Sequence, residues 1–359
     1  MMKSVKILII CFVLGFAAIQ TLAGPEWKIN DDASMKLSVL GQVHLLLPHD
    51  TADDEDFYLR RGRFILSGQI CDGVKFFVET DNDNAGRNGK ASSSTDIQDA
   101  FVDIRLGKSD HWLATGLILL PFSFENKSSA ASLMGIDYNA EAIKFANHFV
   151  WRDYGAELHG KFCDKLAYHV GVFDGYDSPD GNKNSDAPLR YTGHLAMNLI
   201  GDVQSGWFYS QNRLTAGGNY LSIGLGGDTQ NDATLTVTEA DPVAGTLETS
   251  VVDDSKAWVA DIQAGLDMGC AELMLNGAYY DWDNAGFDGS TVFAEAGLIV
   301  DKVMLTGKYS LQDPESCDST EDYTAGLHYF LKGNNVRGGV EYRWGDSNDQ
   351  TLMGIQFLL

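Results

Sequence analysis

The rhythm of its connections constrains this chain most. Sixteen runs of alternating apolar and polar residues, the period-2 pattern of strands, are read from the sequence. They fall at 35–47, 58–70, 74–80, 97–106, 111–119, 152–162, 166–173, 189–199, 220–227, 256–268, 271–282, 292–299, 303–311, 323–331, 336–344 and 351–359. The segments between them alternate in length. Short ones stand at 71–73, 107–110, 163–165, 269, 300–302 and 332–335; long, polar, acidic ones at 48–57, 81–96, 121–150, 175–188, 228–255, 283–291 and 312–322. Short turns at one end, long loops at the other and an even strand count are the arrangement of an antiparallel β-barrel that spans a membrane. Residues 201–219 break the rhythm, being long where a short turn is due. Either strand ends extend around 207–214, or the count is off by one hairpin.

The two faces of the runs agree with a barrel. Near the carboxyl end Val336, Gly338, Val340, Tyr342 and Trp344 form one row, and Arg337, Gly339, Glu341 and Arg343 the other. Val102, Ile104, Leu195, Met197 and Leu199 are read as facing lipid. A soluble β-sandwich also alternates, but it would turn its aliphatic rows inward and its polar rows to water. One sixteen-stranded barrel uses all of residues 24–359, leaving none for a second domain. The last run, through Met353, Ile355 and Phe357, needs paired edges, which closure against the first run supplies.

Residues 1–23 carry Lys3 and Lys6, an apolar run and then Thr21-Leu22-Ala23, the layout of a cleaved secretory signal peptide. The run is short for a spanning helix, which needs about 20 residues. Export and barrel together place the chain in the outer membrane of a Gram-negative-type bacterium, with lipid and lipopolysaccharide as its surroundings. The 50 acidic residues against 26 Lys and Arg argue against nucleic acid as a partner. Abundant glycine (38) and scarce proline (7) suit many strands joined by tight turns. Cys71, Cys163, Cys270 and Cys317 show no CxxC spacing, so no zinc or redox site is expected; an exported chain permits disulfides of unassigned connectivity, and the default reading is buried or capped free thiols.

Residues 121–150 stand apart. About thirty residues lack alternation and carry Phe122, Phe124, Leu133, Met134, Ile136, Tyr138, Phe145 and Phe149. A loop so long is functional or disordered as a rule, and one so apolar must bury its aromatics. The expectation is a segment folded back into the barrel as the constriction of a pore.

Short motifs add a resemblance. Leu59-Arg60-Arg61-Gly62-Arg63 with Gly68, Asp99-Ala100-Phe101-Val102, Pro121-Phe122-Ser123-Phe124-Glu125 and Arg152-Asp153-Tyr154-Gly155 are similar to the phosphate- and pyrophosphate-selective porin family, porins O and P. They lie between residues 59 and 155; beyond that only the strand rhythm agrees. The resemblance implies a sixteen-stranded, trimeric, general or anion-preferring diffusion channel for small hydrophilic solutes and ions such as phosphate. One departure bears on the substrate. The family often places a lysine shortly before Pro-Phe-Ser, and Gly116-Leu117-Ile118-Leu119-Leu120 has none.

Other chemistry is weighed beside the channel. Asp81-Asn82-Asp83-Asn84-Ala85-Gly86 and Asp281-Trp282-Asp283-Asn284-Ala285-Gly286 begin like calcium loops. Each lacks the fifth-position oxygen ligand, and position twelve is Ser92 or Val292 instead of Glu. They are read as solvated acidic loops, and no metal or other cofactor is expected. His44, His159, His194 and His328 are bases without a nucleophile motif, so an outer-membrane hydrolase has no assembled site. A non-conducting adhesin or scaffold has no need of a thirty-residue segment in the lumen, since a barrel of this strand number leaves an aqueous channel.

The residues expected at the pore are Arg61, Arg63, Lys75, Arg105, Arg337 and Arg343 on one continuous wall, with Glu79, Asp99, Asp103 and Glu341 among them. Facing them would stand Glu125, Asp137 and Glu141 of the inward segment. Opposed charges across a narrow channel set up a transverse field. The alternative is that these groups solvate the lumen and pair along the strands.

Overall fold

The computed structural model describes residues 24–49, 55–87, 94–139, 150–163, 165–176, 188–202, 209–212, 214, 217–241, 245–347 and 349–359, with the backbone alone for 235–241 and 245–250. The expected signal peptide, 1–23, lies outside them, as do Ser92, Glu141, Phe145 and Phe149. A three-residue strand, β1 (Glu26–Lys28), pairs with β2 and is followed by the sixteen strands of the barrel. These are β2 (Ser34–Pro48), β3 (Asp56–Cys71), β4 (Val74–Asp81), β5 (Asp96–Arg105), β6 (His111–Leu119), β7 (Arg152–Phe162), β8 (Leu166–Phe173) and β9 (Arg190–Ile200). The second half is β10 (Tyr220–Asp241), β11 (Gly245–Asp267), β12 (Glu272–Asn284), β13 (Phe287–Val300), β14 (Val303–Pro314), β15 (Thr320–Lys332), β16 (Val336–Gly345) and β17 (Gln350–Leu358).

Each barrel strand pairs antiparallel with the next, and β17 closes on β2 from Gln350↔Pro48 to Leu358↔Leu40. Closure satisfies every edge, which a sheet crossing hydrocarbon requires because no water is there to do so. The alternation sorts the faces. In β12, Met274, Asn276, Ala278, Tyr280, Trp282 and Asn284 are buried, while Leu275 and Tyr279 are exposed. Ile104, Leu195, Met197 and Leu199 are exposed, whereas Arg61, Glu157, His159 and Asp261 are buried. A soluble domain rarely leaves so continuous an apolar surface open to water. Polar groups inside and aliphatics outside exclude the sandwich and fit lipid contact.

Two expected loops are strands. Residues 228–241 and 245–255 form most of a long hairpin in which β10 and β11 stay paired to Asp241↔Gly245, with an irregularity between Gln230 and Ala233. Residues 283–291 are likewise taken up by β12 and β13, which pair to Asn284↔Phe287 across a two-residue turn. The calcium-loop resemblance at Asp281 is thereby void, because Asp281 and Trp282 are ladder residues. Cys71, Cys163, Cys270 and Cys317 are free and exposed, not buried; the first three sit where short turns begin or end.

Residues 201–219 do not supply a further hairpin among the described residues. Residues 209–212 and 214 lie inward instead. Ser210 bridges Ser128 in parallel, Asn212 accepts from Asn276 at 2.8 Å, and Leu214 packs with Met134 and Met274.

Candidate functional site

The site is built on the segment 121–139 and the inward rows beneath it. Its start is held by aromatic packing. Phe122 lies 5.8 Å from the Tyr280 ring and 5.5 Å from Trp282, in a cluster that also contains Phe77, Phe101, Phe173 and Phe293. Ser123 and Tyr280 hydroxyls are 3.0 Å apart, and the Phe124 amide donates to Asp261 at 3.1 Å. The chain passes so close to β10 that a Cβ on Gly226 would lie 1.9 Å from the Phe122 carbonyl oxygen.

One tight turn follows, with the Ser128 amide donating to the Glu125 carbonyl at 3.0 Å. From this turn Lys127 reaches the Leu119 carbonyl and Glu157 on β7, at 3.2 and 3.1 Å. Glu157 also meets His169 at 2.6 Å, and the His159 and His169 rings stack 5.4 Å apart.

The next stretch is held through its main chain. Gln42 and Gln356 donate to the carbonyls of Ala130 and Ala131 at 2.9 and 2.8 Å. Arg337 donates to Leu133 and Gly135 carbonyls at 2.5 and 3.1 Å, and Glu341 accepts from the Ile136 amide at 3.2 Å. Lys308 donates to the Asp137 carbonyl at 3.1 Å, and Asn139 to that of Tyr309 at 3.0 Å. Buried main-chain groups must be paired, and here side chains of the wall do the pairing that a regular element would do itself.

Asp137 is the electrostatic centre of this stretch. Arg60 Nε and Arg61 Nη2 donate to its two oxygens at 2.5 and 2.9 Å. Burial alone would raise its carboxyl, but the two guanidinium groups outweigh that and hold it well below the usual carboxylate range. Arg61 also lies over the Tyr138 ring at 5.4 Å.

The expected pore residues separate into groups. Arg61 and Arg337 touch the inward segment directly. Arg63 is inward and buried, but it pairs along its own wall with Glu79 and Asp81, both at 2.7 Å. Lys75 and Arg105 sit at the short-turn end, where their charges lie 4.2 and 5.8 Å from the Trp112 ring and Arg105 meets Asp72 at 2.6 Å. Arg343 stands half-buried near the opposite end of β16, beside Trp344.

Glu125 is buried among Glu295, Lys308 and Asp261, which stand on β13, β14 and β11. Burial and the Glu295 carboxylate push it well above the usual carboxylate range.

Arg60 was not among the expected lumen residues, since strict alternation turns it outward. A register shift where Gln42 pairs Arg61 and Val43 pairs Leu59 leaves Arg60 as the extra residue of a β-bulge. Two adjacent arginines ahead of Gly62 are the signal for it, because an unbroken strand would put one guanidinium in lipid. Lys127, Lys308 and Gln356 carry no such signal; only the fold brings them to the segment.

Three of the four candidate histidines, His159, His194 and His328, meet carboxylates. His159 pairs with Asp103 at 3.0 Å and His194 with Asp261 at 2.8 Å. His328 meets both Thr306 and Glu341 through the same nitrogen, Nε2, at 2.9 and 3.5 Å. A relay needs the hydroxyl on one ring nitrogen and the carboxylate on the other.

Comparison with known proteins agrees with this architecture. Residues 45–198 match the family described as phosphate-selective porin O and P. No curated protein sequence matches the chain. Among solved structures, OmpT of Vibrio cholerae with loop L8 deleted superposes with a TM-score of 0.59 at 11% identity, covering 92% of this chain and all of that one. OmpF of Salmonella typhi, in complex with daunomycin, gives 0.59 at 12%, covering 93% and 100%. The outer-membrane channel DcaP of Acinetobacter baumannii gives 0.58 at 13%, covering 94% and 100%. At such identities the likeness is one of fold.

Proposed function

We propose, for a chain whose residues 45–198 match the phosphate-selective porin O and P family, that it forms a water-filled pore in the outer membrane. Small hydrophilic solutes and ions, phosphate among them, diffuse through it passively, and the segment 121–139 sets its narrowest part. The observation that carries this reading is the way that segment is held. Side chains from β2, β3, β14, β16 and β17 all bond to it. A segment tethered to so many strands fixes a cross-section, whereas a surface loop would need none of those tethers. The family is one of porins, so the hydrolase reading is set aside.

Trimers in the outer membrane, surrounded by lipopolysaccharide, are part of the same proposal. One of the OmpT structures from Vibrio cholerae is described as a trimer form. Export through residues 1–23 completes it. The charge pairs of the lumen would give a modest ion preference, since Arg60, Arg61, Arg63 and Lys308 each already face a carboxylate.

The test is a planar-bilayer recording of the purified protein in a salt gradient, repeated after deletion of residues 128–139. The deletion raises single-channel conductance and the size limit for solutes. Unchanged conductance in a folded deletion protein would show that the segment does not limit the pore.

A further inference from the structure

A cavity of about 240 Å³ lies between the inward segment and the β3–β4 wall. It is below the roughly 300 Å³ at which drug-sized ligands are usually held, so its occupant is a small one. Three aromatic residues line it. Phe77 stacks on Phe101 at 5.4 Å and meets the Tyr209 ring edge-on at 5.4 Å, while Tyr138 stands edge-on to Trp151 at 6.2 Å. Each ring is therefore fixed by another ring before any solute arrives.

The polar lining is mixed. Arg63 and Arg152 supply donors, Glu79 an acceptor, and Ser128, Ser129 and Gln211 both kinds. The two cations are already compensated. Arg63 binds Glu79 and Asp81, and Arg152 binds Asp99 through Nε and Nη2 at 3.1 and 3.0 Å. Two guanidinium groups against three carboxylates leave no net positive charge for an oxyanion to find. A phosphate dianion would have to enter beside the Glu79 carboxylate, in a poorly solvated place where Asp81 and Asp99 already neutralise the guanidinium groups from behind. A neutral ring bearing hydroxyls meets none of that repulsion. Its C–H faces suit the aromatic rings, and its hydroxyls both give and accept hydrogen bonds as this lining does.

We infer that this cavity is a binding subsite for an uncharged sugar of monosaccharide size, and that within this channel it favours such a sugar over phosphate. The inference rests on the channel reading for its physiological meaning, but binding itself can be measured without conduction.

The experiment uses the full chain in two settings. In a bilayer, D-glucose is titrated against open-channel current, with viscosity-matched glycerol and, separately, inorganic phosphate at constant ionic strength as comparisons. In detergent, the same solutes are titrated against tryptophan fluorescence, since Trp151 stands beside Tyr138. Glucose is expected to reduce the current saturably beyond glycerol and to change the fluorescence with the same midpoint. Phe77→Leu, checked for folding by heat-modifiable mobility, should raise that midpoint about tenfold, the worth of one well-placed ring face.

A current that falls only in step with glycerol, with flat fluorescence, overturns the sugar site and leaves the channel standing. Saturation by phosphate with none by glucose overturns it in favour of an anion site. A protein that does not conduct but shows saturable fluorescence removes the channel reading and keeps the site. Should Phe77→Leu not fold, the wild-type comparison of glucose, glycerol and phosphate decides alone.

Discussion

Arg61 reaches across from β3 to donate to Asp137 of the inward segment at 2.9 Å, while the neighbouring Arg60 takes the other carboxylate oxygen at 2.5 Å. Adjacent residues of one strand ordinarily point to opposite faces. Both can serve one carboxylate only because the bulge at Arg60 inserts an extra residue opposite Gln42 and Val43. A local irregularity of the strand thus fixes where the segment lies in the lumen.

Asp137→Asn should loosen that hold. The substitution keeps the shape and removes the charge, leaving two largely buried guanidinium groups facing a neutral amide. Breaking a buried pair this way costs on the order of 3 kcal/mol. Increased open-channel current noise and a lower urea midpoint are expected. Noise and midpoint both equal to the wild type would mean that the carbonyl tethers alone hold the segment.

Gly135→Ala tests the tethers themselves. A Cβ there would lie 1.8 Å from Lys308 Nζ and 2.6 Å from Glu341 Oε1, so the Lys308–Glu341 pair must move. Overpacking a tight site costs about 1–3 kcal/mol. The expected result is a lower melting temperature with a shifted conductance level, read by thermal melts in detergent and by bilayer recording. A mutant with wild-type melting and conductance would show that Lys308 swings aside freely.

How much of this was legible beforehand follows from the physics of each part. Strand positions repeat every two residues against lipid, so all sixteen runs could be read, three of them, β6, β7 and β8, to their end residues. The extensions of β10 and β11 past Asp228 and Ser255 could not. Outside the hydrocarbon both faces meet water, and the apolar alternation that marks a strand is lost there. The inward lie of residues 209–212 and 214 is hidden for a related reason. Ser210 and Asn212 bond through backbone and amide groups that nearly any sequence offers. Arg61, Arg63 and Arg337 read as inward because a charge on a membrane strand has only one face to occupy, and all three are buried. Lys308 obeys the same rule, but its place on the wall that meets Asp137 depends on the path of the segment, which no periodicity encodes.

The two acids of the segment predict opposite responses to pH. Glu125 has its affinity for a proton raised on folding, so the folded state holds that proton more tightly than the unfolded chain. Its contribution is complete below the ordinary glutamate value of about 4.5 and declines as pH rises above it. Asp137 is lowered instead, so its contribution is present above about 3.8 and is lost only in stronger acid. Melting temperature in detergent should therefore fall gradually from weakly acidic to alkaline pH. Glu125→Gln, neutral at every pH, should flatten that decline. A slope unaltered in the mutant would assign the decline to other groups.

Arg61→Ala combined with Arg63→Ala addresses ion preference. The two guanidinium groups face Asp137 in one case and Glu79 with Asp81 in the other. Removing both leaves those carboxylates less compensated on one wall of the lumen, where low-dielectric surroundings strengthen each charge. Cations entering that region gain and anions lose, so the reversal potential in a salt gradient should shift toward cation selectivity. The acidic outer loops contribute little there, being screened over a Debye length of about 8 Å at physiological salt. The shift should consequently persist when salt is raised moderately on both sides. Folding is checked by heat-modifiable mobility, because Arg61 also bonds Gln42 and Asp137. If the folded double mutant keeps the wild-type reversal potential, the β3 wall does not set selectivity, and Lys308 with Glu125 becomes the place to look.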